Sequence, residues 1–206
     1  MANTNAISCI CKALLKSFEE EACPKSAFVQ TPEFEIYQPE SFATTPAKVV
    51  KEGFTVMVWR VAPNAQLRNR APRKEPGDTV SRRPSLPVDI HLLVTPWATE
   101  SGRQLGLLGW VMRHLEDLPG MDAGRLNAGS GLGEDCFRSH EMVEIVSDPL
   151  SIADQLGLWD KFKPRLPPSA TYVARGVLLD SELPVSIGAP VVSRDIKTES
   201  VKGAGA

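Results

Sequence analysis

A proline-punctuated segment between two strongly apolar stretches restricts the fold of this chain more than any other feature of the sequence. Residues 54–61 carry β-branched and aromatic side chains on both alternating faces, as in a strand of a covered sheet. Residues 88–95 form a second such stretch. Several prolines interrupt the chain between them, among them Pro63, Pro72, Pro76 and Pro84. Because proline fixes φ and lacks a backbone donor, the sequence predicts two neighbouring strands joined by an extended loop.

The same loop concentrates positive charge. Residues 60–83, called the basic segment below, carry seven cationic side chains and two acidic ones, a net charge of +5 in a chain whose total is -2. The remainder therefore carries -7. Two interpretations stay open: a solvated basic loop, or a docking surface for an acidic partner.

Hydrophobic periodicity predicts the other elements. We expect helices over residues 3–22, 99–118 and from 151 to 163, and short strands near 34–37, 142–146 and 171–179. Together with the two apolar stretches they predict an α+β fold, with a mixed sheet of about five strands and three main helices packed on it. Residues 1–182 form the predicted domain, and residues 183–206 form an extended C-terminal arm.

Helical spacing also predicts which side chains face the core. The second helix places Leu105, Leu108, Met112 and Leu115 on one stripe, which Trp110 and Val111 widen. The third has a capping box at its start, and its expected inner face consists of Ile152, Leu156, Trp159 and Phe162. Residues 120–139 read as a glycine-rich loop.

Composition indicates a soluble globular protein of a reducing cytoplasm. The chain is 42% hydrophobic, which is enough for a core. No apolar run approaches the roughly 18 residues of a membrane span, and we expect neither a leader nor membrane contact. Four cysteines are too few for a secreted disulfide framework, so we expect Cys9 and Cys11 to be core or surface thiols.

No pattern of catalytic residues stands out. The glycines around residues 124–129 lack the lysine of a phosphate-binding loop. His91 shares a strand face with Asp89, as a structural neighbour, and Cys136 with His140 lacks a second ligand pair. We therefore expect no enzymatic activity, no cofactor and no metal.

Two sequence blocks carry a family resemblance. They are VWRVAPNAQLRN at residues 58–69 and RRPSLPVDIHLL at residues 82–93, followed by QLGLLG at 104–109 and PLSI at 149–152. The series spans roughly residues 3–184 and resembles the cap, or tail-terminator, family of phage-tail-like contractile injection systems. Residues 120–139 match that family poorly.

The resemblance implies a structural protein that closes the baseplate-distal end of an inner tube and its sheath, and so stops their polymerisation. It implies a homo-oligomeric ring of six subunits, tube and sheath proteins as partners, and cytoplasmic assembly. In such a ring each subunit carries two different complementary patches.

Within this interpretation we expect the basic segment to dock onto a neighbouring subunit or the tube, since arginine pairs well with carboxylates at interfaces. The candidate docking residues are Asn64, Leu67, Arg68, Asn69, Arg70, Arg73, Arg82 and Arg83. The candidate contact residues of the C-terminal arm are Leu183, Val185, Ile187 and Val191.

The same residues also allow purely structural interpretations. Asn64 and Asn69 could serve only to form turns, and the arm could be a frayed terminus. A polyanion- or nucleic-acid-binding module using the basic segment is the rival function. Nucleic acid is not the expected partner, because the segment has no interleaved aromatic residues for base stacking.

Overall fold

A computed structural model of the chain describes residues 2–20, 28–39, 41, 50–74, 77, 79–118, 120–129, 135–162 and 167–185. Four helices and six strands can be given bounds within these described residues. The helices are α1 (Ala6–Glu20), α2 (Ser101–Asp117), α3 (Ala123–Ala128) and α4 (Ile152–Phe162). The strands are β1 (Glu33–Tyr37), β2 (Gly53–Pro63), β3 (Leu86–Trp97), β4 (Met121–Asp122), β5 (Met142–Ser147) and β6 (Ala170–Leu179).

The strands form one mixed sheet in the order β1-β2-β3-β6-β5-β4. β1 runs parallel to β2, and the other neighbours are antiparallel. The α+β class and the pairing of the two apolar stretches, β2 and β3, are confirmed. The expected count of about five strands was one too low, because β4 lies in the region expected to be a glycine-rich loop.

That region also contains α3, which the glycine count concealed. Asp122 begins the helix by accepting a hydrogen bond from the backbone N of Arg125 at 2.9 Å. Such an N-terminal cap offsets the loss of backbone partners in the first turn. At the other end, the backbone of Gly129 lies so close to α1 that a Cβ would stand 2.8 Å from the N of Ala13. The glycine thus allows the two helices to pack.

The main core lies between one face of the sheet and helices α1 and α2. It includes buried residues of α1 such as Phe18, of α2 such as Val111, and of β2 and β3 such as Phe54 and Ile90. The predicted stripe of α2 was partly wrong: Leu105 and Met112 are exposed, and the buried residues are Leu107, Val111 and Leu115. The predicted and the buried sets of residues both have helical spacing. Which of the two is buried depends on the side of the helix that packs on the sheet.

The opposite face of the sheet carries a smaller cluster, formed by Tyr37, Val50, Met57 and Leu93. Of α4, only Phe162 packs against it.

The predicted inner face of α4 was therefore wrong for Ile152, Leu156 and Trp159, which are 78%, 59% and 45% exposed. Amphipathic spacing identifies an apolar face, but it does not supply a surface to cover it. No described helix is long and apolar enough to cross a membrane.

Two of the cysteines depart from expectation, and Cys11 does not. The sulfur of Cys9 in α1 is bonded to that of Cys136, 127 residues away in sequence, so these two are not free thiols. Cys11 is the free cysteine among the described residues and is buried, and burial raises the pKa of its thiol to about 12. It therefore stays a neutral core thiol near neutral pH.

Gly53 marks the point where β1 meets β2. Its φ is +134°, and a Cβ built there would stand 1.9 Å from the carbonyl O of Glu33. Both the backbone angle and the close approach require glycine. The position of the edge strand thus depends on a residue without a side chain.

We expect Gly53→Ala to destabilise the protein by about 2–3 kcal/mol, because β1 must move away from β2. Urea unfolding measures the change. Gly106→Ala is the matched control: it lies in α2, exposed, with nothing within 4 Å of the new methyl group. That variant should be stabilised by about 0.5–1 kcal/mol, and equal effects of the two would contradict this account of Gly53.

Glu52 is a buried carboxylate, 1% exposed, that fastens three backbone regions together. It accepts hydrogen bonds from the backbone N of Val29 at 2.6 Å and of Gln30 at 2.7 Å, and from Oγ1 of Thr99 at 2.6 Å. The bond from Gln30, followed by that from Thr99, holds the pKa of Glu52 below its ordinary value of 4.5. Its ionised form is therefore favoured by folding.

A lowered pKa means that Glu52 stabilises the fold above its unfolded pKa of about 4.5 and that this contribution is lost as the pH falls through the folded pKa. Urea midpoints measured between pH 7 and pH 3 should fall less steeply below pH 4.5 in Glu52→Gln than in the wild type. Glu33→Gln, a change at an exposed glutamate, is the control. If the urea midpoints of wild type and Glu52→Gln fell equally steeply below pH 4.5, this role of Glu52 in stability would be contradicted.

Candidate docking surface

The basic segment leaves β2 after Pro63 in a turn built by Asn64. Its backbone N donates to the carbonyl O of Pro87 at 2.9 Å, and its Oδ1 accepts from the backbone N of Gln66 and of Leu67 at 3.0 and 3.1 Å. Its Nδ2 donates to both carboxylate oxygens of Asp89 at 3.1 and 3.0 Å. Asn64 therefore does form a turn and is tied to the sheet.

Asp89 extends this anchor to β6. Its Oδ1 also accepts from the backbone N of Gly176 at 2.8 Å, where the pairing of β3 with β6 shifts between Val88 and Ile90. Gly176 has a φ of +63°, and a Cβ there would approach Cδ1 of Leu67 to 3.0 Å. The irregularity in the sheet thus leaves room for the loop to pack on it.

A second anchor lies at Asp180, directly after β6. Its carboxylate is 4% exposed and accepts from Nη1 of Arg73 at 2.5 Å, from Nη2 of Arg138 at 3.0 Å and from Oγ of Ser85. The side chain of Arg73 is itself only 14% exposed. One carboxylate therefore joins the basic segment, the start of β3, the end of β6 and the approach to β5.

Backbone pairing holds the far half of the segment. Arg73 and Arg82 exchange hydrogen bonds at 2.9 and 2.7 Å, and the backbone N of Arg83 donates to Leu183 O at 2.9 Å. The backbone N of Val185 in turn donates to Ser81 O at 2.7 Å. The described start of the C-terminal arm thus pairs with the basic segment of its own chain.

The candidate docking residues divide into two groups. Asn64, Arg73 and Arg82 are half-buried and hold the segment in place. The others are exposed: Leu67, Arg68, Asn69, Arg70 and Arg83. We call Arg68, Arg70 and Arg83 the exposed arginines, and no described residue forms an ion pair with any of them in the structure.

Of the arm residues, Leu183 is exposed, Val185 is half-buried, and Ile187 and Val191 lie outside the described residues. The docking role of both sets stays a prediction.

An open cleft of about 670 Å³ lies between residues 70–73 of the basic segment and the neighbouring parts of β5 and β6. Arg70 and Arg138 lie on it together with His140 and the exposed Met142. Glu141 also lines the cleft, and burial raises the pKa of its carboxyl. The lining of the cleft thus combines basic, acidic and apolar side chains.

The remaining sequence candidates are structural. Nδ1 of His91 lies 2.7 Å from Oδ2 of Asp148, and the ring packs on Trp59. The carboxylate partner of His91 is thus Asp148, which follows β5, and not Asp89, whose carboxylate binds Asn64 and the backbone N of Gly176 instead. The bond to Cys9 removes Cys136 from a metal site with His140, and the described residues contain no cluster of three potential ligands.

Sequence reasoning missed Asp180 altogether. A single aspartate after a strand has no local signature, and its role depends on partners more than 40 residues away. The one signal in the sequence is indirect: the cationic side chains of the basic segment require an acidic partner wherever they are buried against the sheet.

We expect Asp180→Asn to destabilise the chain by about 2–3 kcal/mol, because it leaves two partly buried guanidinium groups without their carboxylate. Hydrogen exchange should increase mainly at residues 70–74 and 81–85, and little in β2 and β3. Asp135→Asn, the same change at an exposed position, is the control. Unchanged exchange in the basic segment would show that Asp180 is not its anchor.

Comparison with known proteins gives a consistent result. The model of the Pvc16 N-terminal domain matches residues 10–193. No curated protein matches the chain significantly.

Among solved structures, the chain is similar to the sheath/tube terminator, in its extended state, of the extracellular contractile injection system PVC. The TM-score is 0.53 and the identity 11%, over 93% of this chain and 65% of that one. The tube-terminating cap of the anti-feeding prophage aligns with a TM-score of 0.49 and 10% identity, over 84% and 57%. The chain therefore spans less than two thirds of either neighbour.

The likeness at such low identity shows a shared fold, whereas the family match covers most of the chain. The resemblance seen in the sequence blocks is confirmed, and the chain belongs to the Pvc16 N-terminal domain family.

Proposed function

We propose that the chain is a structural cap that binds the baseplate-distal end of a contractile injection system's tube, sheath or both, and stops their polymerisation. The observation that carries the proposal is the basic segment, held on the sheet by Asn64 and Asp180 with its exposed arginines presented outward. Family membership and the fold shared with a sheath/tube terminator support the same role.

The mechanism needs geometric fit and no chemical step. A surface fixed before binding loses little conformational freedom when a partner docks, so more of the contact energy appears as affinity. Arginine suits such a surface because its planar fork pairs with carboxylates and it is weakly hydrated. The expected partner surface is accordingly an acidic rim on the terminal ring of tube or sheath subunits.

The assembly that we propose is a ring of six copies formed in the cytoplasm, in which residues 1–182 make the terminator domain. In this proposal residues 183–206 act as an arm, and its described start, at Leu183 and Val185, pairs with the basic segment. Ile187 and Val191 would extend that contact onto a neighbour by adding residues to a strand edge. No catalytic role is assigned to any residue.

Arg68→Glu combined with Arg70→Glu should abolish capping while the monomer stays folded, because both side chains are exposed and lie outside the anchors. Tube and sheath proteins are polymerised with each variant, and electron microscopy measures the length distribution and the fraction of capped ends. Lys51→Glu with Lys161→Glu reverses two exposed charges elsewhere and should cap normally. Normal capping by the arginine variant would remove the basic segment from the proposal.

The rival function is a polyanion-binding module, since the same exposed arginines could neutralise phosphates. The two differ in what the wild-type chain binds. A polyanion binder shifts duplex DNA at near-physiological salt, loses affinity steeply as salt rises, and leaves tube lengths unchanged. That combination would overturn the cap proposal.

A further inference from the structure

We infer that Cys9 and Cys136 form a redox-dependent crosslink: the chain folds with both residues as thiols, and a small-molecule disulfide then oxidises them to the bond seen in the structure. The bond ties α1 to the segment that precedes β5. The inference does not depend on the proposed function, because every step concerns a single copy of the chain.

The loop that this bond closes contains most of the fold. The two cysteines are 127 residues apart, and between them lie β1 to β4, α2, α3 and the basic segment, whereas β5, β6 and α4 lie outside. A crosslink restricts the unfolded chain more strongly the longer the loop it closes. Forming or breaking this one bond therefore changes the stability of the whole domain.

Noncovalent contacts hold the two cysteines close together without the bond. The carbonyl O of Cys136 accepts from the backbone N of Asn3 at 3.2 Å. The backbone N of Phe137 donates to Oδ1 of Asn127 at 2.9 Å, and Nδ2 of Asn127 donates to the carbonyl O of Phe137 at 2.8 Å. Cys9, Cys136 and Phe137 all lie in the main core, where a neutral thiol packs as a small apolar side chain. The dithiol chain thus keeps the contacts it needs to fold in a reducing compartment.

The oxidation is a thiol–disulfide exchange with a small-molecule disulfide such as oxidised glutathione. The thiolate of one cysteine attacks a glutathione sulfur and releases one glutathione thiolate, and the thiolate of the other cysteine then attacks the mixed disulfide and releases the second. The two glutathione thiolates take up the two protons that the cysteines lose, so the cysteine pair loses two electrons and oxidised glutathione gains them. Because both cysteines are 0% exposed, the attack requires a local opening of the short segment around Cys136.

Burial also makes the bond persistent once it has formed. External thiols cannot reach either sulfur while the core is closed. Cys11 lies two residues from Cys9 in α1, on nearly the opposite side of the helix. Burial raises the pKa of the Cys11 thiol to about 12, so near neutral pH it lacks the thiolate form that attacks disulfides. The crosslink is therefore retained in an oxidising medium and is not exchanged within α1.

Urea unfolding of the full wild-type chain tests the inference, with excess dithiothreitol in one series and after equilibration with oxidised glutathione in the other. We expect both forms to be folded, with the same far-UV circular dichroism. The urea midpoint of the oxidised form should be higher by about 1–2 M, because the loop is long. Mass spectrometry of a non-reduced digest should find the peptide of Cys9 linked to that of Cys136 only after oxidation.

Two alanine variants in the same helix show whether this pair is responsible. Cys9→Ala removes the bond, so its urea midpoint should not respond to the redox state. Cys11→Ala is the matched control at a cysteine that is 1% exposed, and it should keep the shift of about 1–2 M.

The inference would be overturned by a reduced wild-type chain that does not fold, because the bond would then be a requirement of folding. Equal urea midpoints for the two forms of the wild type, or no linked peptide after oxidation, would overturn it as well. So would a redox shift that persists in Cys9→Ala, because another pair of cysteines would then carry the effect.

Discussion

The carboxylate of Asp180 ties together parts of the chain that would otherwise be independent. It receives Arg73 from the basic segment, Arg138 from the approach to β5 and Ser85 from the start of β3. Because it is almost fully buried, its charge is effective against the two guanidinium groups, and these in turn make its burial tolerable. These ion pairs use the charges of Arg73 and Arg138 inside the fold. The charges of Arg68, Arg70 and Arg83 stay available for contacts with partners.

This anchor explains how a proline-rich loop becomes a defined surface. Prolines prevent helix or strand within the loop, so its order must come from contacts with the sheet. Asn64 and Asp89 supply these contacts at one end and Asp180 at the other, while Gly176 leaves the space that Leu67 occupies. An ordered surface binds with a smaller entropic cost than a flexible loop of the same charge.

How far the sequence predicted this structure depends on how local each signal is. The pairing of β2 with β3 and the loop between them could be predicted, because β-branched runs and prolines act on their own neighbourhood. The buried faces of α2 and α4 could not, since Leu105, Met112 and Ile152 belong to stripes that the sheet leaves uncovered. The same limit applied to the bond between Cys9 and Cys136 and to Asp180, whose partners are distant in sequence.

Weak single contacts suit a cap that must recognise an end. An exposed ion pair contributes only about 0–1 kcal/mol, so one copy held by three arginines would bind a tube subunit loosely and would not trap subunits before assembly. In the proposed ring the contacts act together, and each docked copy raises the effective concentration of the next. The free energy of capping then depends on a complete, symmetric array of sites, which the finished end of a tube offers and a single subunit does not. Selectivity for the end would thus follow from the number and placement of modest charges on a rigid sheet.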